Sequence, residues 1–140
     1  MGYIRFEKGL MTNLEETLPK ELLRTNRSGA YSCSSILDCN TRKYHGLLVV
    51  PIPEIDDENH VLLSSLDVSV IQHGAEFNLG LHKYRGNIFS PNGHKYIREF
   101  NCDKVPTTLY RVGGVVLKKE VVFQHFEDRI LIRYTLEDAH

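Results

Sequence analysis

Leu117-Lys118-Lys119-Glu120-Val121-Val122-Phe123 and Ile130-Leu131-Ile132-Arg133-Tyr134-Thr135-Leu136, joined by Gln124-His125-Phe126-Glu127-Asp128-Arg129, decide the fold of this chain. Leu117, Val121 and Phe123 share one face when side chains alternate across a strand, and the second run is dense in β-branched and aromatic residues. The polar link is too short for the crossover that parallel strands require, so the pair reads as an antiparallel hairpin. Just upstream, Val112-Gly113-Gly114-Val115 supplies a turn that makes Thr107 to Val112 and Val115 to Phe123 a second hairpin, and the C-terminal end a meander.

The middle of the chain follows the same alternation. Val61-Leu62-Leu63 and Asp67-Val68-Ser69-Val70-Ile71 lead to the turn His73-Gly74, and Glu76-Phe77-Asn78-Leu79 with Leu81 resumes as a strand. Ser90-Pro91-Asn92-Gly93 is the strongest turn signal, because proline fixes φ and Asn-Gly tolerates positive φ; Tyr96 to Phe100 then reads as extended. Only Asn13 to Leu23 invites a helix, with Leu14, Leu18 and Leu22 four apart, and Pro19 limits it to a turn or two before Glu21-Leu22-Leu23-Arg24 extends. Pro51 to Asn59, acidic and proline-bearing, reads as a surface loop. Many short strands and almost no helix predict an all-β fold, an antiparallel β-sandwich formed as one domain over residues 1–140.

Composition narrows the function classes. Net charge is −1 with no basic block, so nucleic acid is not an expected partner. No apolar run is long enough to cross a bilayer, and Met1 to Glu7 lacks the apolar centre of a signal peptide, so the expectation is no membrane partner and a cytoplasmic location. Cys33, Cys39 and Cys102 have neither the even count of a disulfide framework nor the paired spacing of structural zinc, so they read as reduced and no metal site is expected. His60, His73, His82, His94, His125 and His140 are scattered singly, mostly beside turn-forming or charged residues, and read as surface histidines.

The densest polar segment is Asn40-Thr41-Arg42-Lys43-Tyr44-His45-Gly46, which runs directly into the apolar Leu47-Leu48-Val49-Val50 and Pro51. A buried strand closed by proline pins the run to the rim of a sheet, where a loop on a rigid support can present side chains to a ligand. The planar donor fork of Arg42, the amide of Asn40 and the rings of Tyr44 and Tyr31 suit the hydroxyls and C–H faces of a sugar, and His45 can give or take one hydrogen bond. The same residues also suit a purely structural rim, with Arg42 paired to Asp38 or Glu21, Tyr44 capping the core and His45 satisfying the backbone.

These residues carry a resemblance. Glu21-Leu22-Leu23-Arg24-Thr25-Asn26, Ser28-Gly29-Ala30-Tyr31-Ser32 and Asn40-Thr41-Arg42-Lys43-Tyr44-His45-Gly46-Leu47-Leu48-Val49 resemble the N-terminal domain of bacterial and archaeal glycogen debranching enzymes, the amylo-α-1,6-glucosidase family. Val61 to Leu66, Tyr84-x-Gly86, Pro91-x-Gly93 and Pro106 to Tyr110 follow in that family's order, over roughly residues 20 to 137. The resemblance implies a supersandwich-like domain that packs on a C-terminal (α/α)6 catalytic barrel of the same protein and helps shape the cleft for an α-1,6-linked glucose of glycogen, with no metal or organic cofactor. It implies substrate contact by Arg42, Tyr44 and His45, then Asn40, Thr41 and Asn26. Leu22 stands where the family has tryptophan, and Arg27 and Ala30 where it has glycine, so the loop around residues 26 to 31 is expected to differ in backbone and to have less access to positive φ.

Catalysis by these residues alone is not expected. Glycoside hydrolysis needs two carboxyl groups flanking the bond. Asp56, Asp57 and Glu58 read as a solvated loop, and Glu120, Glu127 and Asp128 as exposed strand-end charges. Nor is there a nucleophile elbow, phosphate loop or HExxH motif. The segment after Glu137 cannot build a helical barrel, so the chain reads as an isolated domain or a truncated piece of a debranching enzyme. A free-standing carbohydrate-binding module and a sandwich used for interaction or oligomerisation are the other two readings, the former weakened by the lack of tryptophan as a stacking platform.

Overall fold

The computed structural model describes residues 3–139. Met1, Gly2 and His140 lie outside the described residues. Chain order is β1 (Ile4–Glu7), α1 (Lys8–Met11), α2 (Leu14–Thr17), β2 (Glu21–Thr25), β3 (Tyr31–Ser35), β4 (Gly46–Pro51) and β5 (Asn59–Leu63). There follow β6 (Ser69–Gln72), β7 (Ala75–Asn78), β8 (His82–Tyr84), β9 (Ile88–Ser90), a 3-10 turn at Gly93–Tyr96, β10 (Ile97–Cys102), β11 (Pro106–Val112), β12 (Val115–Phe123) and β13 (Ile130–Ala139). One antiparallel sheet has the order β1-β10-β11-β12-β13 and another the order β2-β3-β4-β5, with β6-β7 and β8-β9 as separate hairpins. The fold is an all-β sandwich.

The C-terminal meander forms because its turns and its alternation agree. Gly113 takes φ 59° between β11 and β12, while Phe126 takes φ 62° in the longer turn, which Gln124 N–H closes by donating to the carbonyl of Arg129. On β12 the inward residues are Val115, Leu117, Lys119, Val121 and Phe123. Lys119 breaks the apolar alternation. Its ammonium is tied to the Asp38 carboxylate beyond the end of β3, and it lies 5.8 Å from the centre of the Tyr110 ring. Burial works against that charge, but Asp38 outweighs it and holds the lysine above the ordinary ammonium range.

The second sheet faces the first through Leu22 and Arg24 of β2 and Ser32 and Ser34 of β3, opposite Phe100, Thr108, Val121 and Phe123. Arg24 donates from Nη2 across the interface to Cys102 Sγ at 2.8 Å. Ile36 and Leu37, just after β3, enter the main core with Met11, Ile97, Tyr110 and Val112. The connection that carries residues 40–46 is thus anchored at its base before it reaches the surface.

The helix around Asn13 is a single turn, ended before Pro19 and followed by β2. β1 has no counterpart in the sequence reading; it completes the large sheet by pairing Phe6 with Phe100, whose rings stack 6.4 Å apart. The β8–β9 hairpin, with Gly86 and Asn87 at positive φ, was likewise not foreseen. Two readings are corrected. Tyr96 belongs to the 3-10 turn, and extension starts at Ile97. Asn92 has φ −97° rather than a positive value; Gly93 is required because a Cβ there would collide with the Leu79 backbone.

Candidate functional site

Strand register assembles the polar run with residues far away in sequence. Leu23 lies opposite Cys33, Thr25 opposite Tyr31, and Cys33 opposite Gly46, so β2, β3 and the start of β4 form one continuous surface. His45, immediately before β4, is buried there. Its Nδ1 accepts from the backbone N–H groups of Thr41 at 3.0 Å and Arg42 at 3.3 Å, and its Nε2 meets Glu21 Oε1 at 3.1 Å. Those contacts match the tautomer with the proton on Nε2. The ring therefore shapes the loop and ties it to β2.

Glu21 Oε1 also forms an ion pair with Arg42, Nε lying 2.8 Å away. Of the two carboxylates considered as partners for Arg42, the fold selects Glu21 and gives Asp38 to Lys119. The Arg42 side chain is 66% exposed. Tyr44 is also exposed, at 48%, with φ 69° that turns it outward; Lys43 Nζ sits 4.9 Å from its ring centre. Tyr31 donates from its hydroxyl to the Tyr44 carbonyl at 3.2 Å. Asn40 is committed to the scaffold, accepting from Ser34 Oγ and donating to the Ser64 carbonyl. The outcome is a stiff loop whose exposed tip is a guanidinium and a phenol ring.

Glu21, Cys33 and His45 bring a carboxylate, a thiol and an imidazole within 4.8 Å of one another. The cluster already contains its own cation, the Arg42 guanidinium on Glu21, and Nδ1 of His45 is occupied by two backbone donors. Burial, then the Glu21 charge, pushes the Cys33 thiol above its ordinary range and keeps it protonated. Hydrogen bonds and the ion pair thus account for His45 and Glu21, with the Cys33 thiol lying beside them. In the sequence Cys33 stands near His45 without the paired spacing of a metal site, and only the β2–β3 register sets it beside Glu21.

Asn26 lies elsewhere, in the turn after β2, and is fully buried. Its Oδ1 accepts from the N–H groups of Ser28 and Ala30, and its Nδ2 donates to the Glu127 carbonyl and to Asp128 Oδ1, each at 3.0 Å. The structure thus brings Asn40, Thr41, Arg42, Tyr44 and His45 together and places Asn26 in a different loop. That loop also departs from expectation: Arg27 has φ 66° despite its side chain, so arginine does not deny this backbone positive φ. Anchoring by Asn26 enforces the left-handed conformation.

Some of the acidic residues outside the loop are occupied. Glu120 accepts a two-pronged contact from Arg133, which with Lys118 holds its carboxyl below the usual range, and Asp56 caps the Glu58 N–H and meets His60. His82 likewise pairs with Asp67 at 2.7 Å, so two of the scattered histidines bond carboxylates.

Residues 20–140 match the family model described as glycogen debranching enzyme N terminal. The chain belongs to this family. No curated protein and no solved structure gives a match. The glycogen debranching enzyme N-terminal match begins just before β2 and includes the whole Glu21, Arg42 and His45 network. In this member of the family, β1, α1 and α2 precede the matched region, and β1 adds an edge strand to its large sheet. No helix among the described residues is long and apolar enough to cross a membrane.

Proposed function

We propose that this chain is the non-catalytic N-terminal β-sandwich of a glycogen debranching enzyme, an amylo-α-1,6-glucosidase, and that its 40–46 loop forms part of the wall of the α-glucan site beside a C-terminal (α/α)6 barrel. Family membership supports the parent activity. The observation that carries the site is the division of labour in the loop: His45 and Asn40 spend their polar atoms on the scaffold, while Arg42 and Tyr44 are held outward. A guanidinium fork and an aromatic face are what a neutral sugar requires, and a loop fixed before binding loses little entropy when sugar arrives. The catalytic carboxylates belong to the barrel, consistent with the pairing of Glu120 and Asp56 here. Cytoplasmic glycogen breakdown is the corresponding setting.

Substituting Arg42→Ala and Tyr44→Ala in the enzyme that carries both domains tests this. Debranching of a branched oligosaccharide should fall at least about tenfold, mostly through KM, with thermal stability little changed. Unchanged kinetics in both variants would sink the proposal.

A further inference from the structure

A second surface has chemistry opposite to that of the 40–46 loop. A groove of about 530 Å³ runs between β2, the turn joining β10 to β11 and the end of β12. Arg24, Arg27, Lys104 and His125 line it, and no carboxylate does. Arg24, Arg27 and Lys104 have no ion-pair partner among the described residues. Arg24 is the inner wall: Nη2 rests on Cys102 Sγ, a weak acceptor, and Nε is buried without any hydrogen-bond partner. An unneutralised guanidinium with an orphaned N–H beneath two exposed cations is a costly arrangement in a chain of net charge −1.

Arg27 adds an independent sign. It occupies φ 66°, a conformation glycine adopts freely and arginine adopts at a cost. Strain retained at an exposed cation points to use of that cation.

We infer that this groove binds the phosphate group of a small phosphorylated sugar. A carboxylate has two oxygens and one charge, and a single arginine fork satisfies it; two arginines at the end of β2 with a lysine from the β10–β11 turn suit a dianion with three terminal oxygens. Leu23 and Val122 supply apolar wall beside the basic groups, a surface for the C–H face of a sugar ring. The site is independent of the 40–46 loop and does not require the reading given to that loop.

The test is a heteronuclear NMR titration of the 140-residue chain with glucose 6-phosphate, inorganic phosphate and glucose in turn, repeated with Arg27→Gln and Lys104→Gln. Both positions are exposed, and thermal melting verifies that each variant is folded. Glucose 6-phosphate should saturate the amide shifts of Arg27, Lys104 and His125 about tenfold more tightly than inorganic phosphate, glucose should leave them still, and each variant should weaken binding by about tenfold. Added salt should weaken it further. Equal affinity for inorganic phosphate would overturn the sugar component. Absence of saturation by either phosphate at about 10 mM, or variants that bind like the parent chain, would overturn the site itself.

Discussion

Two loops on the same four-stranded sheet are built on one plan and end with different chemistry. Before β4, buried His45 accepts two consecutive backbone N–H groups; after β2, buried Asn26 accepts those of Ser28 and Ala30. Each anchor then reaches out to a second element, His45 to Glu21 on β2 and Asn26 to Glu127 and Asp128 in the β12–β13 turn. Each loop displays an arginine. The difference lies in where the nearby carboxylate goes: Glu21 pairs with Arg42, whereas Asp128 accepts from the Asn26 amide and no carboxylate pairs with Arg27 among the described residues. A locally neutral tip with an aromatic ring suits an uncharged sugar, and an unpaired cation suits an anion. One buried anchor can serve either purpose, because the anchor sets shape and the carboxylate sets charge.

The largest break in this symmetry should come from Asn26→Ala. It orphans two backbone N–H groups at a fully buried position and removes two donated hydrogen bonds, a loss of about 3 kcal/mol that should appear as a drop of roughly 6 to 12 °C in melting temperature. His45→Ala removes the equivalent anchor and should cost about 2 kcal/mol by denaturant melts. If His45→Ala were neutral, the ring would not be holding the loop. Arg42→Ala should cost under about 1 kcal/mol, since its ion pair is largely exposed and screened by solvent.

Arg27→Gly sharpens the contrast by its sign. Relief of the positive φ should outweigh the extra freedom glycine gives the unfolded chain and leave the protein stabilised by about 0.5 kcal/mol, while binding in the basic groove weakens. A destabilised Arg27→Gly would mean that the arginine holds the loop. The smallest effect is the pH dependence of Cys33, beside Glu21. Its folded thiol ionises above the unfolded one, so its contribution to stability is complete below the ordinary thiol value of about 8.5 and is lost as pH rises through the higher folded value. Iodoacetamide labelling of Cys33 in the folded protein should accordingly reach half its limiting rate at a higher pH than in urea; equal midpoints would remove Glu21 and burial as influences.

Much of this was legible from residues near one another in the chain. Alternation from Thr107 to Leu136 specified the meander, and Asn40 to Val49 specified the family and the candidate loop, because strand period and turn chemistry act over a few residues. Gly93 shows the boundary: its presence in a turn was readable, but the reason for glycine is the Leu79 backbone, which only the folded chain brings there. β1 was missed for a similar cause, as a short edge strand is defined by the partner it pairs with, here β10.

By itself, the sequence determined the C-terminal meander, the β6–β7 hairpin, the family and the two loops that hold polar residues. Tertiary structure decided which of those residues remain free. Asn26 and His45 were candidates for ligand contact on the same grounds as Arg42, yet their partners, Glu127 and Glu21, are distant in sequence and become neighbours only through register and sheet packing. A side chain's donors and acceptors are fixed by its chemistry, but whether the backbone or a ligand satisfies them depends on what folding places within about 3 Å.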